Sequence, residues 1–212
     1  MYLPAHFEER RLDVLHAFVR DHPFGLLVTA DAEGPVANGL PLLLDPGGAA
    51  ELGVLRGHVA RANPVWREAA DAPALVVFQG PDGYVSPSFY AAKAEHGKVV
   101  PTWNYAMVQA RGRLRAIDDA GWLRTLVGRL TERHESRRAA PWAVTDAPPD
   151  YIDTMLRAIV GIEIELTALV GKWKLGQNRA LADRQGVVSG LDHAGAGGAP
   201  ELARLMRDAG VA

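Results

Sequence analysis

Between residues 24 and 58 the chain lays down three short apolar runs, each closed by turn residues, and this rhythm commits it to a sheet built from consecutive strands. Phe24 to Thr29 is the first run, turned by Asp31-Ala-Glu-Gly34. Val36 to Leu44 is the second, turned by Asp45-Pro-Gly-Gly48. Glu51 to His58 is the third, so the three together predict a meander. Ala74 to Gln79 is a further apolar strand, closed by Gly80-Pro-Asp-Gly83. Thr102 to Ala116 alternates broadly and reads as a long strand that can bend at Gly112. Gly161 to Thr167 sets Ile162, Ile164 and Leu166 on one face and Glu163 and Glu165 on the other, the pattern of a half-buried strand.

Helical periodicity fills the gaps. Glu8 to Arg20 gathers Leu12, Leu15, Phe18 and Val19 on one side and stops at His22-Pro23, because the residue before proline avoids helix. Ala60 to Ala70 predicts a short helix. Asp118 is the expected N-cap of a helix carrying Trp122, Leu123, Leu126, Val127 and Leu130. Glu132 to Pro149 reads as a loop, and Tyr151 to Val160 as a helix. A polar helical tail follows Arg179, and Gly195 to Pro200 reads as a flexible joint before a last short helix. About six mostly consecutive strands favour antiparallel pairing. The expected fold is therefore α+β, a barrel of mostly antiparallel strands with peripheral helices, rather than a doubly wound sheet.

Composition removes several classes of function. There is no cysteine, so disulfides, zinc–thiolate sites and iron–sulfur clusters are excluded. The formal net charge is −2, so no global field draws the chain to nucleic acid or anionic membrane, and an anionic cofactor has to be held by local groups. No stretch is long and apolar enough to span a bilayer, and the N-terminus opens without an apolar signal core, so cytoplasm is the expected compartment. The histidines form no pattern such as HExxH, and no dedicated metal site is expected. No Walker loop, Rossmann glycine fingerprint or nucleophile elbow is present.

Four segments carry residues suited to chemistry. Arg56-Gly-His58-Val-Ala-Arg61-Ala-Asn63-Pro64 leaves a strand and enters a helix. Its cations and free N–H groups suit a phosphate, and the plain alternative is a solvated strand exit with an Asn-Pro turn. His58 can also be read as a haem iron ligand. Val100-Pro-Thr102-Trp-Asn-Tyr105 sets aromatics beside an amide, which suits a flat heteroaromatic ring or a strand opening with core aromatics. Gly171-Lys-Trp-Lys-Leu-Gly-Gln-Asn-Arg179 interleaves basic groups with an aromatic. It can grip a phosphate, stack on a ring, or be a surface turn anchored by Trp173 and Leu175. Gly83-Tyr-Val-Ser-Pro-Ser-Phe-Tyr90 offers hydroxyls to a ligand or forms a plain hydroxyl-capped turn.

In this order and spacing, MYLPAHFEE, GHVARANPVW, YVSPSFY, AEHGKVVPTWNY, DYIDTMLRAIVGIEI and GKWKLGQNRALADRQGVVSGL resemble the PaiB-type family, the FMN-binding negative transcriptional regulators. The resemblance runs from Met1 to about Leu191. It implies a split β-barrel, similar to the pyridoxamine-phosphate oxidase flavoproteins, over residues 1–191, with residues 192–212 as a C-terminal helical tail. It also implies a homodimer with FMN at the subunit interface. Carried over, Arg56, His58 and Arg61 lie near the phosphate end. Thr102, Trp103 and Asn104 line the flavin region, and Lys174, Gln177 and Asn178 close the pocket. Asn38, Gln109 and Gly176 depart from the residues common in the family at those positions.

The expected function is that of a flavin-binding, regulator-like protein with possible redox chemistry of the cofactor. No residue pair reads as a general acid and base, so enzymatic activity stays open. The piperazate synthases resemble the same family and use haem, which makes haem b, with His58 as axial ligand, the alternative cofactor. Direct binding to DNA is the weakest alternative, since no helix-turn-helix signature stands out.

Overall fold

Alternating burial writes most of the strands. In Phe24–Asp31 the side chains of Leu27 and Thr29 are buried while Phe24 and Leu26 face outward. The computed structural model describes residues 1–47, 50–194 and 198–212. Its strands are β1 (Glu8–Glu9), β2 (Phe24–Asp31), β3 (Gly34–Pro41), β4 (Leu43–Asp45), β5 (Val54–Ala60), β6 (Pro73–Val85), β7 (Thr102–Ile117) and β8 (Ile159–Lys174). Its helices are α1 (Leu12–Asp21), α2 (Val65–Glu68), α3 (Ala92–His96), α4 (Ala120–Glu135), α5 (Pro149–Arg157), α6 (Leu181–Ala194) and α7 (Ala199–Asp208). The strands follow the order β3-β2-β6-β7-β8-β5-β4, with β1 paired to β8, and the registered pairs are antiparallel.

The expected meander is corrected. β2 and β3 form a hairpin from Phe24↔Pro41 to Asp31↔Gly34. The second apolar run then breaks at Leu42 and changes partner: β4 pairs with β5, and β5 pairs with β8 from Val54↔Glu165 to Ala60↔Ile159. Alternation specifies which face a strand buries and says nothing of its neighbour, so the distant partner was invisible. The turn after Asp45 includes Gly48, and the joint from Gly195 includes three residues, that lie outside the described positions.

Other boundaries shift for local reasons. Glu8 and Glu9 pair with Lys172 and Gly171, so α1 begins only at Leu12. β5 persists to Ala60 and Pro64 sits at the helix entry, which leaves α2 one turn long. The N-cap of α4 is Asp119, whose carboxylate accepts the Trp122 N–H at 2.7 Å, because Asp118 is engaged by Arg61. β6 runs through the Gly-Pro-Asp-Gly segment; its registered pairing with β2 covers only Leu75 to Val77, so Pro81 costs no bond to that neighbour. β8 extends to Lys174, which makes Trp173 a strand residue.

The chain divides into two compact units, and β6, β7 and β8 each contribute to both. The first unit comprises Met1–Phe18, Gln79–Val108 and Val170–Ala212. There α6 packs on α7, Trp173 meets Phe18 with ring centroids 4.9 Å apart, and Leu175, Leu191, Leu202 and Met206 are fully buried. The second unit comprises Val19–Phe78 and Gln109–Leu169. In it α4 lays Leu126 and Leu130 on Leu43, and Leu123 on Ile152 and Leu156 of α5. Two glycines permit close approach. A Cβ at Gly112 would strike the Glu165 carbonyl, and one at Gly161 would strike the Trp122 indole.

Candidate cofactor site

The expected site residues fall into the two units. In the first, Thr102 and Asn104 at the start of β7, Lys174 at the end of β8 and Asn178 in the following turn line one cavity of about 200 Å³, together with Tyr90 and Arg179. Lys174 donates to the Thr102 hydroxyl at 2.6 Å and to the Trp103 carbonyl. Asn104 is buried, and its amide points at the Met206 sulfur 3.9 Å away. Gln177 does not face the cavity. Its amide donates to the Trp173 carbonyl at 2.6 Å and accepts the Leu175 N–H at 2.9 Å, bracing the turn that Gly176 makes at φ +84°. Trp103 is 54% exposed and meets Tyr84, 49% exposed, edge to face at 6.2 Å.

Electrostatics single out this cavity. Lys174, Lys172 and Arg179 cluster, and among the described residues none of them is within ion-pair distance of a carboxylate. Burial pushes the Lys174 ammonium below the ordinary lysine range, and repulsion from Lys172 and Arg179 pushes it further. Lys172 donates to the Tyr2 carbonyl at 3.1 Å and lies over the Tyr105 ring, while Arg179 lies over Tyr90 at 5.0 Å. Gathered cations without counter-charges favour an anion. Arg179 and Tyr90 were missed as site residues, although both end motifs that the sequence singles out; their mutual stacking had no signature in either segment alone.

In the second unit Arg56, His58 and Ala60 share the outward face of β5. The Arg56 guanidinium is spent on Asp45 and on Glu163 at 2.8 Å, and Asp45 is also held by Arg129. Arg61 grips Asp118 through both terminal nitrogens, at 2.6 and 2.8 Å, and donates to the carbonyls of Arg157 and Ile159. His58 lines a different cavity, of about 310 Å³, with Trp142 and His134. Its Nδ1 is buried without a hydrogen-bond partner, and burial holds the imidazole below its usual range and so neutral. Asn63 donates to Asn38 at 2.8 Å on the wall of a third cavity, leaving the Asn38 amide nitrogen unpartnered.

Two of the open alternatives close toward structure. Trp173 is an anchor, not a stacking platform. Ser86 accepts the Ser88 N–H at 3.2 Å and bonds its hydroxyl at 2.6 Å, the plain hydroxyl-capped turn.

Comparison with known proteins identifies the lineage. Residues 1–168 match the family described as "Putative FMN-binding domain". The chain is also 32% identical to the protease synthase and sporulation protein PAI 2 of Bacillus subtilis over 98% of its own length and 97% of the relative's. It belongs to the PaiB-type FMN-binding family. A second member, an uncharacterized protein of Emericella nidulans, is 34% identical over 99% of this chain and 98% of its own. The split-barrel fold of this PaiB-type chain is shared with the FAD and heme binding protein from Mycobacterium smegmatis, at TM-score 0.58 and 18% identity, covering 80% of this chain and 74% of that one. The flavocytochrome Anf3 from Azotobacter vinelandii aligns at TM-score 0.57 and 13% identity, covering 80% and 70%. Among the described residues, no helix of this PaiB-type protein is long and apolar enough to cross a membrane.

Proposed function

We propose that this chain binds FMN and acts as a flavin-dependent, regulator-like homodimer. The carrying observation is the cluster of Lys172, Lys174 and Arg179, which among the described residues has no carboxylate in ion-pair distance, beside the amides of Asn104 and Asn178. Such a donor set fits a phosphate dianion, and the neighbouring aromatics and amides fit the face and edge of a heteroaromatic ring. FMN, when bound, supplies one- and two-electron chemistry; the chain binds and orients it. In this reading Lys174, Asn178 and Arg179 hold the phosphate, Thr102 fixes the Lys174 ammonium, and Gln177 keeps the turn in shape. Arg56 and Arg61 brace the second unit through their ion pairs.

The cavity supports a shared site. Its volume of about 200 Å³ falls below the ~300 Å³ at which ligand pockets begin. A second surface is needed to enclose a flavin, and a second copy of the chain supplies it. The exposed Tyr84–Trp103 pair in the same unit offers apolar area for that contact.

The test is the visible spectrum of the purified protein before and after FMN is added and excess removed by gel filtration. Flavin bands that co-elute with a dimer are expected. No retained flavin overturns the reading, and a Soret band lost in His58→Ala replaces FMN with haem.

A further inference from the structure

The segment Glu132–Arg138 (ERHESRR) is mostly exposed, and its Arg133, His134, Glu135, Ser136 and Arg137 help to line two cavities in the second unit. The His58 cavity has apolar walls from Pro41, Val127, Leu130 and Trp142, and Thr131, His134 and Glu135 complete its lining. A second cavity, of about 560 Å³, is lined by Arg20, Arg133 and Arg137 with Asp21 as its one carboxylate. His134 lines both, so an apolar chamber and a basic chamber meet at one side chain.

Basic groups at a helix C-terminus have an ordinary explanation, since they offset the helix dipole. That accounts for Arg133, which donates to the Arg20 carbonyl. It applies also to Arg20, in the last turn of α1, and to Arg137, just past the end of α4, but it does not explain why the two helix ends turn three guanidiniums into one cavity, where among the described residues neither Arg20 nor Arg137 forms an ion pair with a carboxylate. Nor does it account for Trp142. The Glu135 carboxylate accepts Arg138 at 3.0 Å and the Trp142 N–H at 3.2 Å, which pins the loop and carries the indole to the chamber wall. Glu135 is thereby consumed, and positive charge stays in excess in the basic chamber. A cavity with an aromatic, apolar end and a cationic end recognises a molecule of matching polarity.

We propose that this face of α4 is a second ligand site, separate from the flavin cavity, for a small aromatic carboxylic acid. The ring lies in the chamber of Pro41, Leu130 and Trp142, and the carboxylate is held by Arg137 and Arg20. His58 closes the chamber floor as a neutral imidazole.

The experiment is isothermal titration of the full-length protein with indole-3-acetate, and separately with indole and with acetate. Indole-3-acetate is expected to bind, and indole and acetate more weakly. Trp142→Ala and Arg137→Ala each lie at an exposed position and are expected to weaken binding about tenfold while FMN retention is unchanged. Absence of binding at millimolar indole-3-acetate overturns the proposal. So does binding that both variants leave intact, or indole binding as tightly as its acid.

Discussion

Lys174 at the end of β8 donates to the Thr102 hydroxyl at the start of β7 across 2.6 Å, and among the described residues it forms no ion pair with a carboxylate. The bond fixes the direction of the ammonium while leaving its charge available. Loss of the hydroxyl should therefore cost position rather than charge. Thr102→Val is expected to weaken FMN binding by about 1 kcal/mol, the worth of one hydrogen bond, and Thr102→Ser to leave it near wild type. Flavin fluorescence titration of both variants checks this.

The lowered Lys174 also sets a pH dependence. Below its folded pKa the ammonium is charged and binds the anion; above it the charge is gone. FMN affinity should fall as pH rises through a window lying under the ordinary lysine value, near 10.5. Affinities measured from neutral to alkaline pH should show the decline in the wild type and its absence in Lys174→Gln.

His58 ties stability to acid. Burial lowers its pKa, so between the folded value and the unfolded value of about 6.5 the unfolded chain binds more protons. The contribution is fully present above the unfolded value and is lost as pH falls toward the folded one. Urea denaturation at pH 5 and pH 8 should show a loss at pH 5 that is smaller in His58→Gln.

Much of the barrel was legible because its strands alternate and its turns are spelled in Gly, Pro and Asp. β2, β3, β7 and the Gly161–Thr167 part of β8 were readable for that reason. What was not legible was partnership. Nothing in Val54 to Ala60 says that it lies beside Ile159 to Glu165 rather than β3. Nor could composition tell that Gly80-Pro81-Asp82-Gly83 continues a strand, since those residues write a turn wherever a neighbouring ladder does not hold them. In the site, Lys174 and Thr102 were visible as motif residues. The engagement of Arg56 with Asp45 and of Arg61 with Asp118 was not, because ion pairs across long sequence separations leave no local pattern.

Gly112 is a direct test of the close approach between β7 and β8. A methyl group there meets the Glu165 carbonyl, which is backbone and cannot move aside. Gly112→Ala should destabilise by about 2–3 kcal/mol or more, read as a lower denaturation midpoint. A neutral Gly112→Ala would refute the contact.

Asp45 sits between two guanidiniums, and the Arg129 hydrogen bond foremost holds its carboxyl below the usual range. Asp45→Asn should cost about 1–3 kcal/mol, because among the described residues Arg129 loses its carboxylate partner and Arg56 keeps Glu163 alone. A thermal melt at neutral pH measures it.

In the proposed site the cations around Lys174, which form no ion pair among the described residues, hold the phosphate of FMN. The most direct test compares dissociation constants for FMN and riboflavin, which lacks the phosphate, in the wild type and in Lys174→Gln. The wild type is expected to prefer FMN about tenfold or more, and Lys174→Gln to lose most of this preference while still binding riboflavin as before. Equal affinity for the two flavins in the wild type, or a preference that Lys174→Gln leaves unchanged, would contradict it.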